Sequence, residues 1–229
     1  MNKKVLVVAA HPDDEILGCG GTILKHISNG DDVRIIIMAE GLTSRNDMRD
    51  IEKYQHELNV LYKNTCQVAA FMGAKKVKQC NFPDNRMDSI ALLDVIKPIE
   101  EYMGNFQPDT VYTHHAGDVN IDHMITHNAV ITACRPLPGQ SVHTLLFFET
   151  LSSTEWQMQT SDKVFLPNWY VDISNFFEKK IKALRFYESE MREYPHPRSY
   201  KGVEILAKSR GLIIGTEFAE AFSIGRIIR

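Results

Sequence analysis

Residues 5–15 read Val5-Leu6-Val7-Val8-Ala9-Ala10-His11-Pro12-Asp13-Asp14-Glu15. The run from residue 4 to residue 10 is almost wholly apolar and rich in β-branched side chains, the pattern of a central parallel strand covered on both faces. From 13 to 28 the period becomes helical, with Ile16, Gly20, Ile23, Leu24 and Ile27 in register and Asn29-Gly30 as the stop. A histidine and three acids therefore stand between a buried strand and a helix. The plainest reading of Pro12 to Glu15 is a helix start. Proline suits the first turn, where its missing N–H has no partner to lose, and acids favour the positive end of the helix dipole.

Outward from this stretch, strands and helices alternate. Val33–Met38, Lys75–Cys80, Thr110–His114 and His143–Glu149 read as strands, and Gly41 to Asn46 as a polar connection. A long amphipathic helix places Ile51, Tyr54, Leu58, Leu61, Val68 and Met72 on one stripe and closes at Gly73. A second helix spans about residues 90–104, with Pro98 at its start or at a kink, and a third spans 122–134, ahead of Pro136. Asn175 and Glu178 resemble a capping box before a helix carrying Phe177, Ile181, Leu184 and Met191, broken by Pro195 and Pro197. A further helix near 200–210 ends at Gly211, and Ala221–Ile228 reads as a terminal strand; residues 150–169 carry no regular period. With no repeat, linker or low-complexity tract in residues 1–229, the pattern predicts a single Rossmann-like α/β domain. Its central sheet is mostly parallel and flanked by helices.

An apolar fraction of 44% and a charged fraction of 24% are ordinary for a globule, and 229 residues can bury a sizeable core. A formal net charge of -3 gives no electrostatic basis for binding nucleic acid or anionic membranes. Lys179, Lys180, Lys182 and Arg185 are interleaved with acids and read as a solvated helix face. Cys19, Cys66, Cys80 and Cys134 form no C-x-x-C pair and read as free thiols of a reducing cytosol. The apolar run after Lys3 and Lys4 is too short for a signal-peptide core, and no run approaches a membrane span. A cytoplasmic protein without membrane insertion is expected. A homo-oligomer stays open.

In open α/β sheets, sites form at the carboxyl ends of strands. His11, Asp13 and Asp14 follow the first strand. A second polar cluster, Thr113-His114-His115-Ala116-Gly117-Asp118-Val119-Asn120-Ile121-Asp122-His123, follows another strand, with His127 close behind. Two His/Asp clusters at one sheet edge can converge, and this coincidence favours a metal site over a helix cap. A catalytic zinc usually takes three protein ligands and leaves a fourth position to water. His11 and Asp14 are spaced to turn towards one point at a helix start, and His123 can supply the third ligand. Such an ion acidifies bound water towards a pKa of about 7 and polarises a carbonyl. Asp13, beside the ligands but not one of them, is the candidate general base.

This arrangement resembles the PIG-L/LmbE-like zinc-dependent de-N-acetylases. The resemblance is carried by Ala10 to Glu15 with Gly18 to Gly21, by Asn120-Ile121-Asp122-His123, and more loosely by Gly215-Thr216-Glu217-Phe218-Ala219-Glu220-Ala221-Phe222. It implies one Zn2+ per chain on His11, Asp14 and His123, with Asp13 as base. The implied substrate is a small-molecule N-acetylated amino sugar or glycoconjugate, from which the acetyl group is removed. Many members carry a histidine two positions before the Asp-His pair, where it stabilises the developing oxyanion; here that position is Asn120. Asparagine can donate a hydrogen bond but cannot act as a cationic acid. Asn120, His114, His115 and His127 are thus the candidates for that role. Asp122 is implied as a carboxylate that orients a histidine.

Other features carry weaker signals. His127 suits helix packing or a substrate contact better than a ligand pair with His123. Gly18-Cys19-Gly20-Gly21 lies within the helix and reads as close helix–sheet packing rather than a phosphate loop. His26, His56 and His143 have no clustered partners and read as surface or packing residues. Pro195-His196-Pro197-Arg198 reads as a surface loop, with an anion-gripping Arg198 as the alternative. Two other functions remain compatible: a non-catalytic sugar- or nucleotide-binding α/β module, and a metal-dependent hydrolase of another bond.

Overall fold

A computed structural model describes residues 2–45 and 49–228; Asn46, at the end of the expected polar connection, lies outside them. The chain runs β1 (Lys4–Ala9), α1 (Asp14–Ser28), β2 (Asp32–Ala39), α2 (Gln55–Met72), β3 (Lys76–Phe82), α3 (Leu92–Phe106) and β4 (Thr110–His114). It continues through α4 (Ile121–Ala133), β5 (Thr144–Phe148), β6 (Trp169–Asp172), α5 (Phe177–Leu184), α6 (Tyr200–Ile214) and β7 (Ala219–Ile227). The strands form one sheet in the order β3-β2-β1-β4-β5-β7-β6. The first five are parallel, β7 runs antiparallel to β5, and β6 runs antiparallel to β7. The Rossmann-like α/β expectation holds.

The sheet is covered on both faces, which explains the unbroken apolar reading of β1. Val5, Val7 and Ala9 join the core under α1 and α2, while Leu6 and Val8 join the core under α3 and α4. Strand order reverses between β1 and β4, so the loops after these two strands open a crevice at the carboxyl edge. Both His/Asp clusters lie there.

Helix α1 is broken at Cys19, whose backbone leaves the helical region (φ -147°, ψ 24°). The glycines beside the break answer to packing, as expected. A Cβ on Gly18 would lie 2.3 Å from the Phe148 ring, and one on Gly21 2.7 Å from Ile173. Breaking a helix frees backbone groups that need partners. Glu220 accepts the Gly21 and Thr22 N–H groups at 2.8 and 2.7 Å, and the Lys180 ammonium donates to the Leu17 carbonyl at 2.9 Å and to Glu220 at 2.6 Å. Lys180 is therefore buried, not part of a solvated face.

Several local expectations shift. Helix α2 begins at Gln55, so Ile51 and Tyr54 precede it, and its buried stripe is Leu61, Thr65, Val68, Ala69 and Met72. Pro98 lies inside α3. Asn175 caps nothing: α5 starts after Phe176 with no side-chain cap, and a 3-10 turn (Arg185–Glu190) separates it from Met191. Helix α6 passes through Gly211 and closes at Gly215, which takes the left-handed conformation a helix stop requires. The edge strand β6 was not predicted, since four residues are too few to show an alternation. All four cysteines are free, and no described helix is long and apolar enough to cross a membrane.

Candidate metal centre and active site

Three side chains meet at the carboxyl ends of β1 and β4. The Asp14 Oδ2 oxygen, in the first turn of α1, lies 3.2 Å from His11 Nδ1 and 3.2 Å from His123 Nε2, which comes from the first turn of α4. Asp14 and His123 are buried, His11 is largely so, and the three can face one ion. The spacing fits a metal: ligand atoms 2.0–2.1 Å from a tetrahedral zinc stand about 3.3 Å apart. The other Asp14 oxygen, Oδ1, is buried with no hydrogen-bond partner, which is costly for a carboxylate unless a cation faces it. Burial alone would raise the Asp14 carboxyl, but His123 and His11, with His114 behind them, hold it well below the ordinary range.

Each of these histidines has a carboxylate on its far nitrogen. His123 Nδ1 lies 3.1 Å from Asp118 Oδ2, and His11 Nε2 lies 3.0 Å from Asp122 Oδ2 and 3.3 Å from Asp84 Oδ1. The carboxylates are themselves fixed. Asp118 accepts the Ser153 and Thr154 hydroxyls, the latter at 2.8 Å; Asp122 accepts the Asn85 and Met87 N–H groups at 2.6 and 3.0 Å. Burial opposes ionisation of Asp118, yet His123 and the Ser153 hydroxyl bring its pKa down to about 2. Burial likewise opposes the His123 cation, but Asp14 and Asp118 raise its pKa to about 9. His11, Asp84 and Asp122 also form a group close enough for a metal. There Asp122 is fixed by the Asn85 and Met87 N–H groups and Asp84 by the Ser44 N–H at 3.0 Å, and both carboxylates contact the Nε2 of His11 and so fix its tilt.

Asp13 faces a different environment. Its Oδ2 accepts from Arg198 Nη1 at 3.1 Å, and Arg198 Nε donates to Ser152 Oγ at 3.1 Å. Its Oδ1 is buried with no partner. Burial, which Arg198 opposes and Asp14 reinforces, keeps the Asp13 carboxyl well above the ordinary range. The backbone here is strained. Asp13 has φ 102°, where a non-glycine residue costs on the order of 1–3 kcal/mol. Its N–H donates to Glu15 Oε2 at 3.0 Å, and the Tyr187 hydroxyl donates to Glu15 Oε1 at 2.8 Å.

The structure brings His11, Asp13, Asp14, Asp122 and His123 together. Asn120 is half-buried: its Oδ1 caps α4 by accepting the Asp122 N–H at 2.9 Å, and its Nδ2 donates to Asn85 Oδ1 at 2.9 Å. The other histidines are occupied. His114 Nε2 accepts the Ala10 N–H at 2.9 Å, and its ring stacks on His123 with centroids 3.9 Å apart. Burial and the His123 cation keep His114 neutral. His115 faces the Lys163 carbonyl, and His127 Nδ1 donates to the His114 carbonyl at 2.8 Å, a packing role. His26 is also a packing residue, between Asp31 and the Tyr112 hydroxyl.

Arg198 is a correction to the surface-loop reading, since it reaches inward to a buried acid. Sequence reasoning also passed over Asp84, Asp118 and Tyr187. Asp84 and Asp118 do carry a signal, each lying just past the carboxyl end of a strand. Arg198 stands out in the sequence only as the alternative to a surface loop, with no hint of Asp13 as its partner, and Tyr187 carries no signal; both arrive from a C-terminal segment whose path across the sheet edge only the fold shows.

The family model described as PIG-L: GlcNAc-PI de-N-acetylase matches residues 6–134. An Escherichia coli (strain K12) protein named uncharacterized deacetylase YaiS is 27% identical over 193 residues, 82% of this chain and 91% of that one. Among solved structures, N,N'-diacetylchitobiose deacetylase from Pyrococcus horikoshii superposes with a TM-score of 0.77 at 23% identity, over 97% of this chain and 83% of that one. GalB, a 4-carboxy-2-hydroxymuconate hydratase from Pseudomonas putida, superposes at 0.75 with 18% identity, over 99% and 98% of the two chains. The shared architecture thus hosts more than one reaction, and the site must decide between them.

Proposed function

Since this chain belongs to the PIG-L family of de-N-acetylases, and so to the amide hydrolases, we propose that it removes the N-acetyl group from an amino-sugar-containing small molecule in a metal-dependent reaction. The observation that carries this reading is the convergence of His11 Nδ1, Asp14 Oδ2 and His123 Nε2, next in the chain to Asp13, whose Oδ1 is buried and unpartnered.

His11, Asp14 and His123 would hold one metal ion, and their two nitrogens and one carboxylate oxygen are a donor set suited to zinc. Such an ion, when bound, acidifies water towards a pKa of about 7 and polarises a carbonyl oxygen. Asp118 and Asp122 fix the tautomer and tilt of the two histidines through their far nitrogens.

Asp13 is the general base. Arg198 holds its Oδ2, so Oδ1 is the oxygen that takes the proton from water as the water attacks the acetyl carbon. The same oxygen then returns that proton to the sugar nitrogen as the C–N bond breaks, giving acetate and the free amine. Asn120 Nδ2 has a second N–H beyond the one given to Asn85, and this N–H supports the oxyanion that develops on the carbonyl.

The test is acetate release from N-acetylglucosamine and its glycosides by the metal-loaded protein, before and after chelation. Release that chelation abolishes and zinc restores supports the reading. No release from any acetylated amino sugar, or release indifferent to chelator, overturns it.

A further inference from the structure

A cavity of about 430 Å3 lies over the sheet face that α1 covers, towards the amino-terminal ends of β4 and β5. Its wall takes in Lys3, just ahead of β1, and Thr110 and Thr144, the first residues of those two strands. The metal centre stands past the carboxyl ends of β1 and β4, so the two share no residue. Thr22, Lys25, His26 and Asn29 form the helix side of the cavity, a single stripe of α1 and its C-cap at the spacing i, i+3, i+4, i+7. A helix stripe turned to a sheet is ordinarily apolar, and this one is polar throughout. The sheet side is apolar and aromatic, with Tyr112, Leu146, Val171 and Trp169. The volume falls in the range of small-molecule sites, about 300–1,000 Å3.

The chemistry of the wall selects the occupant. Thr22 is 1% exposed and its Oγ1 has no hydrogen-bond partner, so a buried hydroxyl donor is left for whatever fills the cavity. His26 is already engaged: its Nδ1 donates to Asp31 Oδ2 at 2.7 Å, so its Nε2 accepts the Tyr112 O–H at 3.0 Å. Burial holds the His26 pKa below its ordinary value, and the ring adds no charge. The cations are Lys3, exposed on the wall, and Lys25, whose ammonium gives one N–H to the Asp172 carbonyl at 3.0 Å and keeps two. Among the described residues no aspartate or glutamate lines the cavity. We propose that it binds a small organic anion with an apolar or aromatic body. The anionic oxygens accept from Thr22 and the lysines, and the body lies against Leu146 and Trp169, whose indole offers a broad, rigid face. This site stands or falls independently of the deacetylase reading.

The experiment titrates the full chain with 3-phenylpropionate and with its uncharged counterpart, 3-phenylpropanol. The chain has two tryptophans, so Trp156→Phe leaves Trp169 as the sole indole, on the cavity wall, and its emission reports occupancy. Emission should change saturably with the acid, and the alcohol should bind about tenfold more weakly, the weight of hydrogen bonds to a charged group. In this background Thr22→Val should weaken the acid about tenfold. It should leave the unfolding midpoint in denaturant no lower, because the Thr22 hydroxyl has no protein partner to lose. Lys3→Gln, at an exposed position, should weaken the acid about threefold and leave the alcohol unchanged. No saturable response to millimolar acid, equal affinity for acid and alcohol, or acid affinity unaltered in both variants would each overturn the site. Emission that follows protein concentration and ignores the acid would mean that a second copy of the chain covers the cavity, and would overturn it as well.

Discussion

Asp14 lies among imidazoles and Asp13 lies against a guanidinium, although the two are adjacent in sequence and equally buried. On the Asp14 side, cationic rings pull the carboxyl well below its ordinary range; on the Asp13 side, burial outweighs one arginine and the carboxyl rises well above it. Desolvation acts on both. What differs is the number of positive partners within reach and the geometry that presents them. Neighbouring carboxylates with divergent proton affinity divide naturally into a ligand and a proton carrier. Asp13, at the N-terminal boundary of α1 with a positive φ, makes no capping hydrogen bond with its side chain, which is left to Arg198.

Substitution on the two sides should break the comparison most sharply. His11→Ala, Asp14→Ala or His123→Ala removes a proposed ligand, and both bound metal and acetate release should be lost, as read by elemental analysis and an acetate assay. Asp13→Asn should keep its metal while turnover falls by about 10²–10⁴, the range of a lost general base. A protein that kept most of its activity as Asp13→Asn would reverse the assignment of the two acids.

Arg198 tests the Asp13 side alone. Arg198→Met should retain metal yet lower kcat by about 10–100-fold, the weight of a hydrogen bond to a charged group. Loss of metal from that variant would show that the two sides are not separable. No sequence pattern announces this contact, because Arg198 and Asp13 are 185 residues apart and their pairing depends on where the loop before α6 falls. The Asp14 side is the legible one. His11 and Asp14 share a helix start, and His123 follows a neighbouring strand, so the rule of strand carboxyl ends suffices. The same contrast holds in the fold. The parallel half declared itself through long apolar runs, whereas β6, the start of α5 and the burial of Lys180 depend on contacts between distant segments.

Asp118 sharpens the Asp14 side by a smaller step. Asp118→Asn leaves every proposed ligand in place but replaces the anion behind His123 Nδ1 with an amide. Zinc affinity should fall by about 10–100-fold, as for other carboxylates behind metal-bound histidines. Competition with a chromophoric chelator measures this directly. Affinity equal to wild type would mean that Ser153 and the helix position alone orient His123.

Glu15 has the smallest bearing on turnover and marks the outer limit of the Asp13 side. Burial raises its carboxyl from an ordinary 4.5 to about 7, against the opposing hydrogen bond from Tyr187. The folded protein then binds this proton more tightly than the unfolded chain does. The stabilisation is complete below about pH 4.5 and is lost as pH rises towards 7. Glutamine cannot ionise, so Glu15→Gln should remove this loss. The variant should gain stability relative to wild type across that window, by no more than about 3 kcal/mol at pH 8. Chemical unfolding of both chelated proteins at pH 5 and pH 8 measures the difference. Equal pH dependence in the two would mean that Glu15 is ionised throughout, stabilised by the Tyr187 hydroxyl and the Asp13 N–H. The acid beside the base would then be a fixed negative charge, and Arg198 would have to offset two carboxylates rather than one.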